Sequence, residues 1–187
     1  MERKTRLQLL TMCLLFAAVR GLMLLWEWSD NPFTRLPIED AAAAWDAGGR
    51  MADGELVATT PFMAAPLYLW LLGVIRWLGL GLPALFGMQT LLWSATGYFL
   101  ADAAYRFFVR TLPTVSAAKA ALLAAAFFLW LPEPWMSTGR VLNSSLQLLL
   151  AVLLWRQLGL SLRPLRLGLL LGLNALVNPP FMLAVVL

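Results

Sequence analysis

Residues 67–80 read LYLWLLGVIRWLGL, an apolar run with one charge, Arg76, introduced by Pro61 and Pro66. At about 1.5 Å per residue, a helix of this length reaches only about 21 Å, short of the roughly 30 Å of hydrocarbon in a bilayer. Whether this run crosses a membrane or lies along its surface decides the topology of everything downstream. The positive-inside rule provides the test. With the run in the interface and the other apolar segments crossing, Arg3, Lys4, Arg6, Arg106, Arg110, Lys119, Arg156, Arg163 and Arg166 fall on the cytoplasmic side. Arg35, Arg50, Arg76 and Arg140 fall outside, nine against four. If the run crossed, Arg106, Arg110 and Lys119 would move outside while Arg140 came in. The run is therefore read as an interfacial helix, over about 66–80.

A membrane is called for by composition. Of 187 residues, 61% are hydrophobic and 13% charged, with a mean hydropathy of +0.76. A soluble domain is roughly half apolar and about a quarter charged. Soluble enzymes and nucleic-acid-binding domains are excluded as readings of the whole chain, and no nucleic-acid partner is expected despite the net charge of +4. The expected fold is an all-α polytopic membrane protein. It has about five transmembrane helices, at 7–26, 82–105, 117–131, 141–158 and 167–187, in a single membrane module. Between the first two lies a periplasmic loop, 27–81, holding two interfacial helices at about 40–52 and 66–80. No small-x-small cleavage site follows the first run, and Trp26 and Trp28 mark an aromatic belt, so it reads as an uncleaved span with a cytoplasmic N-terminus. The last run reaches Leu187 without a polar flank, which suggests the N-terminal portion of a longer protein.

The residue inventory narrows the chemistry. Cys13 is the single cysteine and histidine is absent. That excludes an internal disulfide, a thiolate metal cage, the usual general base and most zinc sites. No metal or cofactor is expected, and reactivity rests on carboxylates, arginines, amides and hydroxyls. In the loop helix, Glu39, Asp46, Arg50 and Asp53 form one stripe, with Asp46 and Arg50 four apart, the pattern of a solvated face. Asp40 lies in line with Ala44, Ala47 and Met51, the small apolar side expected to meet the membrane or the helical bundle. It is either a carboxylate poised as a base or a helix cap.

Arg20 sits inside the first span and needs a partner or must snorkel to the outer headgroups; the functional reading of it is a hold on a lipid phosphate. Asp102 and Arg106 are spaced as an intrahelical pair. Gly168 and Gly172 form G-x-x-x-G, a close-packing signal. Asn174 and Asn178 precede Pro179-Pro180, where the last helix is expected to break and line something polar.

The stretch from Ile38 to Tyr105 resembles the first extracytoplasmic loop and second span of the GT-C glycosyltransferases. It is most similar to their protein O-mannosyltransferase-like and aminoarabinose transferase-like branch. The likeness rests on Glu39-Asp40 opening a loop helix, Gly54-Glu55, Pro61-Phe62, Pro66-Leu67-Tyr68 leading an interfacial helix, Gly79, and the later GLLLGLNALVNP from Gly168 to Pro179. The resemblance implies transfer of a sugar from a polyprenyl-phosphate donor to a glycan, lipid or protein acceptor at the outer face of the cell inner membrane. It implies Asp40 as the general base, with Glu39 as the fallback. The donor phosphate would fall to Arg50, Arg76, Arg140 or Tyr68. The sequence departs from the family's pattern at Ala43 and Ala44, where an aromatic is common, and at Asn143, Ser144 and Asn178. Two other function classes fit the composition: a lipid or solute transporter or flippase, which would carry paired broken helices, and a non-catalytic membrane subunit.

Overall fold

The structure is a computed structural model, and it describes residues 1–37, 39–55, 65–158 and 164–178. All regular structure among them is helical. In chain order the helices are α1 (Arg3–Asp30), α2 (Pro32–Arg35), α3 (Asp40–Ala52), α4 (Pro66–Trp77), α5 (Leu82–Phe108), α6 (Thr114–Trp130), α7 (Pro132–Ser137), α8 (Ser144–Leu158) and α9 (Pro164–Val177).

Glycine geometry sets the ends of the two loop helices. Gly54 has φ 105° and Gly79 φ 72°, a region open to glycine at little cost. At each, the chain turns back on the helix: Gly54 N–H bonds the Met51 carbonyl and Glu55 N–H that of Arg50. In the same way Gly79 N–H bonds Arg76 and Leu80 N–H bonds Ile75. These are paired C-terminal caps of the Schellman type. They end α3 where Asp53-Gly54 predicts, and they end α4 at Trp77, shorter than the expected 66–80.

The other apolar runs also shift. α1 is longer than 7–26 at both ends, and α5 continues past Tyr105. α6 spans Thr114–Trp130 rather than 117–131, because Pro132 opens a separate short helix, α7, that the sequence did not suggest. α8 begins at Ser144 instead of residue 141, leaving Thr138–Asn143 outside any helix. α9 ends at Val177. Residues 179–187 of the expected last span lie outside the described residues, as do Arg163, Pro61-Phe62 and the prolines after Asn178.

α5 packs against α6, α8 and α1, while α3 lies on α4 and α9 touches α8 and α4. Small residues permit the close seams. Ala117, Ala121 and Ala125, one turn apart along α6, are fully buried with Leu9 and Ala101, the packing favoured where helices must approach closely. A Cβ on Gly97 would lie 2.8 Å from Leu129 Cδ2, and one on Gly48 would lie 2.6 Å from the Leu72 Cβ. Gly48 is thus what lets α3 settle onto α4.

Large apolar side chains lie at the surface. Leu25, Trp77, Phe127 and Leu165 are each at least 70% exposed. Among the described residues one helix, α1, is long and apolar enough to cross a membrane, and only 22% of its apolar window is buried within the protein.

One ionic cluster ties α5 to α8. The Asp102 carboxylate accepts from Arg106 Nε at 2.9 Å, the expected intrahelical pair, and from Arg156 Nε at 2.7 Å. The second partner is the one that joins helices. Asp102→Asn is expected to lower stability by about 1.5–3 kcal/mol, the range for hydrogen bonds to charged groups. Arg156→Gln is expected to cost more than Arg106→Gln, because the Arg156 bond ties α8 to α5 whereas the Arg106 bond lies within one helix. Thermal unfolding of the three variants in detergent checks the order.

Candidate functional site

A cavity of about 650 Å³ opens between α1, the start of α3 and the α7–α8 connection. α1 contributes Arg20, Met23 and Glu27; the chain after it contributes Asn31, Thr34 and Pro37. Glu39, Asp40 and Ala41 come from the head of α3, Phe86 from α5, and Trp135 and Met136 from α7. Gly139, Arg140, Val141 and Leu142 complete the wall.

The head of α3 presents two carboxylates. Glu39 is the N-cap residue, with φ 52°, a conformation uncommon for a residue with a side chain. Its carbonyl accepts from Ala43 N–H at 3.0 Å, and its side chain makes no capping bond. Asp40 is therefore the first residue of the helix rather than its cap, which removes the capping alternative. Of the two surroundings expected for this face, the structure shows the bundle: Ala44 and Met51 are buried against α4, whereas Asp40 is exposed and lines the cavity. A carboxylate in the first turn is favoured by the helix dipole.

The cation on α1 does not reach for the headgroups. Arg20 is 1% exposed. Its Nη1 and Nη2 grip the two oxygens of Glu27 at 2.7 and 3.1 Å, and its Nε donates to Thr138 Oγ1 at 2.6 Å. Arg20 is thus neither snorkelling nor free to hold a phosphate; it neutralises Glu27 and fastens α1 to the end of α7. The sequence signal for this pair is the seven-residue spacing, two turns along one helix face. A Cβ at Gly139 would lie 3.1 Å from Arg20 Nη2 and 3.2 Å from Glu27 Oε2, so the glycine is the residue that fits there.

Arg140 follows directly. It is exposed, lines the cavity, and has no carboxylate partner among the described residues. The segment that carries it is held by backbone bonds from Arg140 N–H to Ser137 and from Leu142 N–H to Arg140. Gln89, buried in α5, donates from Nε2 to the Leu142 carbonyl at 2.8 Å and to the Tyr68 hydroxyl at 3.1 Å. No feature of the sequence singles out Gln89, because both partners belong to other segments.

Of the six residues the resemblance assigns to base or phosphate, three meet here: Glu39, Asp40 and Arg140. The other three lie outside the cavity. Arg50 pairs with Glu55 at 3.6 Å, because the turn at Gly54 folds Glu55 back over it; the expected partner was Asp46. Arg76 lies over the Trp45 ring, its guanidinium carbon 4.9 Å from the centroid, in the α3–α4 seam. Tyr68 is 2% exposed; burial pushes its phenol above the ordinary range, and the Gln89 bond offsets this only in part.

Among the described residues, no group of three or more histidine, cysteine or acidic side chains is placed to hold a metal ion. The arrangement instead offers two solvent-facing carboxylates, one available guanidinium, and apolar walls from Met23, Phe86, Trp135, Met136 and Val141. It can accept a proton, neutralise an anion and sheathe a hydrocarbon chain. No protein-family model matches the sequence, and no curated protein or solved structure matches it.

Proposed function

We propose that the chain is a membrane-embedded glycosyltransferase module that moves a sugar from a polyprenyl-phosphate donor to an acceptor on the extracytoplasmic face. In this reading α1, α5, α6, α8 and α9 cross the inner membrane, the N-terminus is cytoplasmic, and α3 and α4 lie along the outer surface. The large apolar side chains at the surface support it, as does α1, whose apolar face is mostly turned away from the protein. The observation that carries the reading is the convergence of Asp40, Glu39 and Arg140 on one apolar-walled cavity.

The chemistry follows from those groups. Asp40 takes the proton of an acceptor hydroxyl as its oxygen attacks the anomeric carbon of the donor. The bond from that carbon to the phosphate oxygen breaks, and the prenyl phosphate leaves with the bonding pair. Arg140 meets the charge that develops on it, a charge-assisted contact suited to guanidinium. The apolar wall takes the first isoprene units of the carrier.

The test is release of prenyl phosphate from a prenyl-phosphate-linked hexose by the chain in proteoliposomes, comparing wild type with Asp40→Asn. Retention of the wild-type rate by the variant would refute the assignment.

A further inference from the structure

Between Thr138 and Asn143 the chain runs without helix and carries Arg140 at its middle. Both ends of this short strap are anchored from other elements. At one end Arg20 Nε donates to Thr138 Oγ1 at 2.6 Å, across 118 residues of sequence. At the other, Gln89 Nε2 donates to the Leu142 carbonyl at 2.8 Å, across 53. Arg20 has an evident second task, since it neutralises Glu27. Gln89 has none so plain.

Gln89 is 1% exposed, and its Oε1 has no hydrogen-bond partner among the described residues. A buried amide with an open acceptor costs free energy that an apolar side chain of the same volume would not. What the amide contributes in return is direction: it fixes a carbonyl two residues beyond Arg140 and so fixes the path of the strap. A guanidinium on a pinned strap gives up less conformational freedom when it engages an anion than one on a loose segment.

We infer that Gln89 is a positioning residue for Arg140, holding its guanidinium in place for the phosphate of an anionic prenyl ligand. The inference rests on the reading of Arg140 given above. Gln89 touches no ligand itself and acts through the Leu142 carbonyl.

The test uses the chain in nanodiscs of neutral phosphatidylcholine, titrated calorimetrically with geranyl phosphate and with geraniol. The quantity read is the preference for the phosphate over the alcohol. Wild type is expected to prefer the phosphate, and Arg140→Ala to abolish the preference. Gln89→Met is expected to lower it by about tenfold, within the coupling range for residues of one network. Gln89→Leu, a second apolar replacement, is expected to behave alike. Adding Gln89→Met to Arg140→Ala changes the preference no further, since there is no longer a guanidinium to position.

The double variant separates positioning from general support. Both apolar variants remove the open acceptor but strip the Tyr68 hydroxyl and the Leu142 carbonyl of their donor. Their midpoints are therefore expected to fall modestly, in the Arg140→Ala background as in wild type, while the preference falls only where Arg140 is present. Tyr68→Phe, which removes only the other acceptor, leaves the preference intact. A wild-type preference in Gln89→Met and Gln89→Leu overturns the inference. So does a loss of affinity shared equally by geraniol, or one that persists in the Arg140→Ala background. If Arg140→Ala itself keeps the preference, the anion reading of the cavity fails, and the positioning of Arg140 fails with it.

Discussion

Arg20→Ala is expected to destabilise the folded chain by about 3–5 kcal/mol, the range for breaking one side of a buried ion pair. The guanidinium is buried and satisfied at three donors: Nη1 and Nη2 on Glu27, and Nε on Thr138. Removing it leaves a carboxylate on α1 that is only 25% exposed and without its countercharge. It also leaves a fully buried threonine hydroxyl short of a donor, and it cuts the tie between α1 and the strap that carries Arg140. Glu27→Gln is expected to cost a comparable amount, because it leaves the buried Arg20 guanidinium without its countercharge and sets an amide N–H against one of its donors. A combined replacement of Arg20 and Glu27 by leucine is expected to recover part of the Arg20→Ala loss, since two apolar groups leave no uncompensated charge. Denaturant or thermal unfolding in detergent measures each. A cost for Arg20→Ala below about 1 kcal/mol, the scale of an exposed pair, would contradict the geometry.

Asp40→Asn is expected to lower the transfer rate by about 10²–10⁴, the contribution of a positioned general base. The amide keeps the size and polarity of the carboxylate but cannot take the acceptor's proton. In the proposed reaction donor binding is left to Arg140 and the apolar wall, so kcat is expected to fall with little change in KM for the donor. Because Asp40 is exposed at the head of α3, its replacement disturbs no packing, and the loss reads as chemistry. Glu39→Gln is the internal control: it lines the same cavity and is expected to slow the reaction far less. A large loss at Glu39 with a small one at Asp40 would exchange the two roles. The product to follow is free prenyl phosphate.

Local signals in the sequence located much of this. Pro37 before α3 and Asp53-Gly54 after it bound a helix that the structure places at Asp40–Ala52, because capping geometry is written in consecutive residues. The i,i+4 spacing of Asp102 and Arg106 likewise appears as a bonded pair. What escaped is long-range. Arg156 joins Asp102 from 54 residues away, Thr138 joins Arg20 from 118, and Leu142 joins Gln89 from 53. Periodicity shows which face of a helix is buried, but not which side chain of another helix it meets. The same limit divides the candidate site. Glu39 and Asp40 were legible as acids opening a loop helix. Arg50, Arg76 and Arg140 were equivalent as exposed cations until the turn at Gly54 gave Arg50 to Glu55 and the α3–α4 seam gave Arg76 to Trp45.

Every role proposed for the cavity requires that α3 lie across the membrane from the α5–α6 turn. The decisive measurement is labelling of single cysteines with a membrane-impermeant maleimide, in a Cys13→Ala background, in intact cells and again after permeabilisation. Asp53 and Thr111, both exposed, are the reporter positions. Asp53→Cys is predicted to label in sealed cells, and Thr111→Cys only after the membrane is opened. Labelling of Thr111→Cys from outside, with Asp53→Cys protected, would put Asp40 and Arg140 on the cytoplasmic face and contradict transfer at the outer surface.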